Sequence, residues 1–159
     1  MEKLDGLDCK ILKIITQNAR IPFKEVADEC GVSRAAVHQR VQRMYDTGVI
    51  TGSGYFVNPK ALGYHLCAFV GITLEKGNMY KSVAQSLEQI PEVVESHYTL
   101  GSYSILVKIY AKDDVHLMEL LSTLQEMPGI SRTETLTTLD HRIKRTLPIK
   151  ADEKRTTTK

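Results

Sequence analysis

Between Phe23 and Met44 the apolar residues fall at helical spacing on either side of a single glycine, Gly31. That pattern leaves few folds open. Phe23, Val26 and Ala27 stripe a helix of about two turns, and Gly31 supplies its left-handed stop. Ser33 then caps a third helix whose apolar face is Val37, Val41 and Met44, ending at Gly48. Ahead of both, Asp5 is a good N-cap with Asp8 as the acid three positions on, and Leu7, Ile11, Ile14 and Ile15 form one stripe. Asn18-Ala19-Arg20 ends that first helix, and Pro22 sits where a first helical position prefers proline. Two short helices, a tight glycine turn and a longer helix make the helix-turn-helix pattern.

The outer face of the third helix carries the chemistry. With Val37, Val41 and Met44 committed to the core, Arg34, Ala35, His38, Gln39 and Gln42 point outward, flanked by Arg40 and Arg43. From Ser33 to Met44 there are three arginines and no acid. Small Ala35 lets the helix approach base edges, and Arg34 and His38, one turn apart, are donors suited to a major groove. Ser33, at the helix start, can present its hydroxyl and nearby N–H groups to a phosphate.

From His65 the period changes from that of a helix to that of a strand. His65–Leu74 is apolar on both faces, and Asn78 is placed to cap a helix carrying Tyr80, Val83, Leu87 and Ile90. Val93–Leu100 and Tyr103–Tyr110 pair about Gly101-Ser102, with Ile105, Val107 and Ile109 on one face. Asp113 caps a helix with Leu117, Met118, Leu121 and Leu124, which Pro128-Gly129 stops before a threonine-rich strand, Ile130–Leu139. The order β-α-β-β-α-β is the ferredoxin-like arrangement, with two helices on one sheet face. The other face holds too many apolar side chains to stay wet and predicts a partner.

The expected fold class is therefore α+β. Residues 1–50 form a three-helix, winged-type helix-turn-helix domain, and 51–63 a connector with an extended piece at Tyr55-Phe56-Val57. Residues 64–148 form the ferredoxin-like domain, and 149–159 a disordered basic tail.

Charge is unevenly distributed. Residues 1–60 carry nine Lys/Arg and seven Asp/Glu, 61–140 five and ten, and 141–159 seven and two. A polyanion should meet the basic ends rather than the acidic middle. No apolar run reaches a membrane span, which predicts no membrane partner. Cys9, Cys30 and Cys67 form no CxxC pair and read as buried thiols in a reducing cytoplasm. The five histidines never fall at i, i+3 or i, i+4, so no metal site is predicted. Gly52-Ser53-Gly54 lacks the rest of a dinucleotide fingerprint, and no nucleophile elbow, P-loop or HExxH occurs. No catalytic residue and no cofactor are predicted, and the chain does not read as an enzyme.

Across about residues 4–148 the sequence resembles the Lrp/AsnC family of feast/famine regulatory proteins. The likeness rests on LDCKIL, NARIPFKEVA, GVSRAAVHQRVQRM, GVITGSGYFVNPKALGY, HYTLGSYSILVKI and RTETLTTL, in that order. TGSG, PKALGY and the last two motifs look nearest the asparagine-responsive branch. The resemblance implies a cytoplasmic, nucleoid-associated regulator of transcription that binds double-stranded DNA. It implies homodimers formed through the sheet face of the second domain, called the RAM domain in family usage, which assemble to octamers. A small-molecule effector, an amino acid, would bind between dimers around the turn of the central strand pair. Carried over by position, the matching residues are Tyr98, Leu100, Gly101, Ser102, Tyr103 and Ser104, with Gln125 and with Leu136, Thr137 and Thr138 on the last strand.

Two departures leave the effector open. Some members hold an aspartate where Ser104 stands, and the asparagine-responsive type has histidine where this chain has Ser102. Two other functions stand beside this one: an architectural DNA-compacting protein without an effector, and an enzyme like the tetrapyrrole decarboxylases that resemble the family. The basic, acid-free face from Ser33 to Met44 speaks against the degenerate reader of the latter.

Overall fold

The computed structural model describes residues 3–150; the tail expected beyond them lies outside the described residues. The described residues form two compact units, one of residues 3–56 with 143–150 and the other of residues 57–142.

The first unit holds α1 (Gly6–Gln17), α2 (Phe23–Cys30) and α3 (Arg34–Asp46). Asp5 and Asp8 cap α1 reciprocally. Asp5 Oδ1 accepts from the Asp8 amide at 2.7 Å, and Asp8 Oδ2 accepts from the Asp5 amide at 3.0 Å, so two orphan donors of the first turn are satisfied. Gly31 ends α2 at φ 70°, a conformation that costs residues with a Cβ. Pro22 is the N-cap of α2 rather than its first helical residue. Ile11, Val26, Val37 and Met44 are fully buried between the three helices.

The connector departs from expectation. Residues 51–58 form no regular element, and Tyr55, Phe56 and Val57 are 77%, 88% and 59% exposed. An extended segment becomes a strand only when its N–H and C=O groups find a neighbouring strand, and among the described residues none pairs with it. Residues 143–148, expected in the second domain, make their contacts with the first unit. Ile149, expected in the disordered tail, packs partly buried against the three-helix core, because it is an apolar side chain within reach of one.

The second unit contains β1 (Leu66–Leu74), α4 (Tyr80–Leu87), β2 (Val93–Tyr98), β3 (Ile105–Ala111), α5 (Asp114–Gln125) and β4 (Ile130–Thr137). The strands are ordered β2-β3-β1-β4, and every neighbouring pair is antiparallel. This is the predicted ferredoxin-like sheet. Val70 and Ile72 of β1, Val107 and Ile109 of β3, Val83 and Leu87 of α4, and Leu124 of α5 share one core.

Two helix details differ from the sequence reading. A short 3-10 turn, Gly77–Met79, contains Asn78, and Met79 rather than Asn78 takes the N-cap position of α4. On α5, capped by Asp113 as expected, Leu120 is buried while Met118 is 68% exposed. The helix is rotated so that Leu120 and Leu124, one turn apart, face the sheet.

On the opposite sheet face the register aligns Cys67, Phe69, Gly71 and Thr73 with Leu106, Lys108 and Tyr110 of β3 and with Glu134 and Leu136 of β4. This face is amphipathic rather than wholly apolar. Lys108 Nζ lies 2.9 Å from Glu95 Oε1 and within 6 Å of the Phe69 and Tyr110 ring centroids, so its charge is held over aromatic faces.

Candidate nucleic-acid interface and effector turn

Arg34 is the first residue of α3, behind Ser33, whose Oγ accepts from the Ala36 amide at 3.1 Å. Ser33, Arg34, Ala35, His38, Gln39 and Gln42 are all exposed. The helix therefore presents the expected stripe to solvent, one residue deep at its N-terminal end and without an acid until Asp46. The His38 ring meets Phe23 of α2 edge to face, 6.0 Å between centroids, which steadies it against the turn. Gln42 Nε2 donates to Asp46 Oδ1 at 2.9 Å, one turn further on. Arg34 has no carboxylate partner among the described residues.

Arg40 and Arg43, on the flank of α3, differ from Arg34 in being paired with carboxylates. Arg40 Nη1 lies 2.7 Å from Asp5 Oδ2 and 2.7 Å from Asp8 Oδ1, and Arg43 Nη2 lies 2.6 Å from Asp8 Oδ2. Asp8 is fully buried, so its charge is tolerable only because two guanidinium groups and a backbone N–H meet it. The hydrogen bond from the Asp8 amide and the Arg40 guanidinium hold the Asp5 carboxyl down at about 2. The same carboxylates push the Arg40 guanidinium up. Both arginines thus pin α3 to the N-terminus of α1. The sequence does carry a signal for this: two acids three apart on one helix and two arginines three apart on another, each pair on a single face.

In the second unit, Tyr98 to Ser104 form the turn between β2 and β3. The Thr99 amide donates to Ser104 O at 3.0 Å, and Thr99 Oγ1 donates to Tyr103 O at 2.7 Å. Gly101, at φ 155°, sits at the exposed tip beside Ser102 and a wholly exposed Leu100. Tyr98 leans on Tyr80 with 4.1 Å between ring centroids. Ser104 is engaged by β1: its amide donates to Ile72 O at 2.8 Å, and its Oγ accepts from the Leu74 amide at 3.4 Å.

Tyr103 occupies a slot the sequence did not announce. Its ring lies against Gly71 in the middle of β1, where a Cβ would fall 2.6 Å from ring carbons. The Glu134 carboxylate on β4 pushes the Tyr103 phenol up from its ordinary value. A glycine inside an otherwise apolar strand marks just such a close approach.

The remaining effector positions are not gathered at the turn within one chain. Gln125 Nε2 donates to Thr133 Oγ1 at 3.1 Å, near the turn end of β1, since Thr133 pairs with Ile72. Thr137 pairs with Ala68, four residues away along β1, which is ~13 Å of strand. Leu136 is half exposed on the open sheet face, and Thr138 Oγ1 donates to Cys67 O at 3.0 Å. Among the described residues no cluster of His, Cys, Asp or Glu could hold a metal ion, and no helix is long and apolar enough to cross a membrane.

These features agree with the chain's relatives. Residues 4–45 match the model of the AsnC-type helix-turn-helix domain, and residues 67–148 match that of the Lrp/AsnC ligand binding domain. The chain is 39% identical to the Haemophilus influenzae regulatory protein AsnC over 146 residues, 91% of this chain and 97% of that one. The structure superposes on Escherichia coli AsnC with a TM-score of 0.86 at 39% identity, covering 92% of this chain and 99% of the other. It superposes equally well, TM-score 0.86, on a Neisseria meningitidis transcriptional regulator solved with L-methionine, at 22% identity over 92% of this chain and 97% of that one. With a helix-turn-helix domain in one unit and a ligand-binding fold in the other, the chain belongs to the Lrp/AsnC family of effector-responsive, DNA-binding transcriptional regulators.

Proposed function

We propose that this regulator reads its operator by setting α3 into the major groove, with Arg34 and His38 at base edges. Ala35, Gln39 and Gln42 line the same stripe, and Ser33 contacts a flanking phosphate. The observation that carries this is the division of labour among the arginines. Arg40 and Arg43 are spent on Asp5 and Asp8, whereas Arg34 stands exposed at the helix start, where recognition helices meet bases. Arg40 and Arg43 then hold α3 in position rather than touching DNA.

The effector in this reading is an amino acid with a neutral side chain, bound between dimers at the turn. Tyr98, Leu100, Gly101, Ser102, Tyr103 and Ser104 come from one chain, and Gln125 with Leu136, Thr137 and Thr138 from the neighbouring dimer. The separation of Leu136, Thr137 and Thr138 from the turn within one chain supports assembly from two, although Gln125 lies near the turn end of β1. The L-methionine bound by the Neisseria relative in fold is of the same chemical class. The half-exposed apolar side chains on the open sheet face support a homodimer through that face, with four dimers closing into an octamer. The regulator works in the cytoplasm, on the nucleoid, and catalyses no reaction.

Selection of bound duplexes from a random pool, for the native chain and for Arg34→Ala, tests the reading. Arg34→Ala should lose ~1–3 kcal/mol of discrimination at one base pair of each half-site. Equal weakening on every sequence would remove Arg34 as a base reader. A thermal-shift screen of the twenty amino acids, with size measured on each hit, tests the effector. No shift with any of them would remove the amino-acid assignment.

A further inference from the structure

Residues 143–150 belong with the first unit and form a strap without regular secondary structure. Lys144 and Thr146 face the unit: Lys144 Nζ lies 4.6 Å from the Phe56 ring centroid, and Thr146 lines a cleft of 490 Å³. Ile143 and Leu147 are 68% and 86% exposed. Ile149 anchors the far end against the three-helix core. Val41 and Tyr45 of α3 form one wall of the cleft, and Ile50 to Gly54 another. The strap is thus held at the flank of the reading helix, beside the segment that follows it.

Its charge differs from that of the unit it covers. Residues 3–56 carry eight basic and six acidic side chains, and two of the eight are Arg40 and Arg43, committed to buried and half-buried carboxylates. The strap adds Lys144, Arg145 and Lys150 and no acid. All three are exposed, and among the described residues none of them has a carboxylate partner. Seven residues of chain can span up to ~20 Å, enough to follow several successive phosphates of one strand.

We propose that this strap is a second DNA contact of the reader: Lys144, Arg145 and Lys150 neutralise backbone phosphates beside the groove that α3 enters. The contact is independent of base sequence, because flexible side chains on a strap carry charge without the fixed donor geometry of a base reader. It supplies the phosphate neutralisation that Arg40 and Arg43 cannot.

The test is the salt dependence of binding by the full chain to two duplexes of ~40 base pairs, about four helical turns, one of random sequence and one selected by the native protein. In Lys144→Gln/Arg145→Gln/Lys150→Gln the slope of log affinity against log salt should shrink by about 5 units for a bound dimer, because each chain loses three phosphate contacts worth ~0.9 apiece. The loss should be the same on both duplexes. The charge-keeping variant Lys144→Arg/Arg145→Lys/Lys150→Arg should restore the native slope. A native slope in the first variant overturns the proposal. So does a reduced slope in the second, since packing rather than charge would then be at work. Size and helix content measured on the same samples identify any loss through misfolding, and a slope reduced only in misassembled material also counts against the strap.

Discussion

Arg43 Nη2 lies 2.6 Å from Asp8 Oδ2, and the carboxylate it meets is completely buried. A basic residue on the flank of a reading helix is here part of the internal frame. Its removal should be felt first in stability. Arg40→Ala/Arg43→Ala strands the Asp8 charge in the interior and should cost about 3 kcal/mol or more in urea denaturation. Adding Asp8→Asn should recover much of that cost, because the stranded charge is then gone. A double variant as stable as the native chain would return both arginines to the DNA-binding surface.

Acid stability depends on Asp5. Its carboxyl is held at about 2 in the fold, by the Asp8 amide first and Arg40 second, against 3.8 for an ordinary aspartate. A folded value below the unfolded one means that the stabilisation is complete above 3.8 and is lost as the pH falls towards about 2. Asp5→Asn should flatten the stability-against-pH curve in that window and leave its shape near neutrality unchanged. Denaturation midpoints across the window measure this. Asp5 is half exposed, so the effect is a fraction of what a buried aspartate would show.

Gly71→Ala drives a methyl group into the Tyr103 ring, whose carbons would be 2.6 Å away. The ring must swing off β1, which takes the phenol away from Glu134 and displaces the turn behind it. A loss of about 1–3 kcal/mol is expected, the ordinary range for overpacking. Gly71→Ala/Tyr103→Ala should cost less than the sum of its parts by ~1 kcal/mol, since the clash needs both groups. Additivity in the cycle would mean that the ring is not seated there.

Gly101→Val should remove the response to the effector while DNA affinity in its absence stays native. The tip backbone, at φ 155°, is open to glycine and strained for a β-branched residue. Titrating the effector found by thermal shift against both proteins, with DNA binding as readout, decides it. An unaltered response would place the effector away from the turn.

How much of this was legible depends on the range over which each feature is determined. Asp5, Gly31, Ser33 and Asp113 mark helix ends through bonds to residues three or four positions away, and all four do so in the fold. The strand order also followed from the β-α-β-β-α-β succession of elements. What escaped was decided between elements. The pairing of Arg40 and Arg43 with Asp8 depends on how α3 crosses α1, and helical spacing says only that they are outside the apolar stripe. Met118 and Leu120 exchanged places because the rotation of α5 is set by the sheet beneath it. Gly71 passed as a neutral member of an apolar strand until Tyr103, thirty-two residues on, was seen against it. The docking of Ile149 turns on one apolar side chain in a polar segment, a signal too short for any periodicity.

The polypeptide leaves the first unit at Phe56–Val57 and returns to it at Arg142–Ile143. Ile149, which packs against the three-helix core, therefore reaches its place only after residues 57–142 have been made. During synthesis the helices must wait for the far side of the chain before their outer layer is complete.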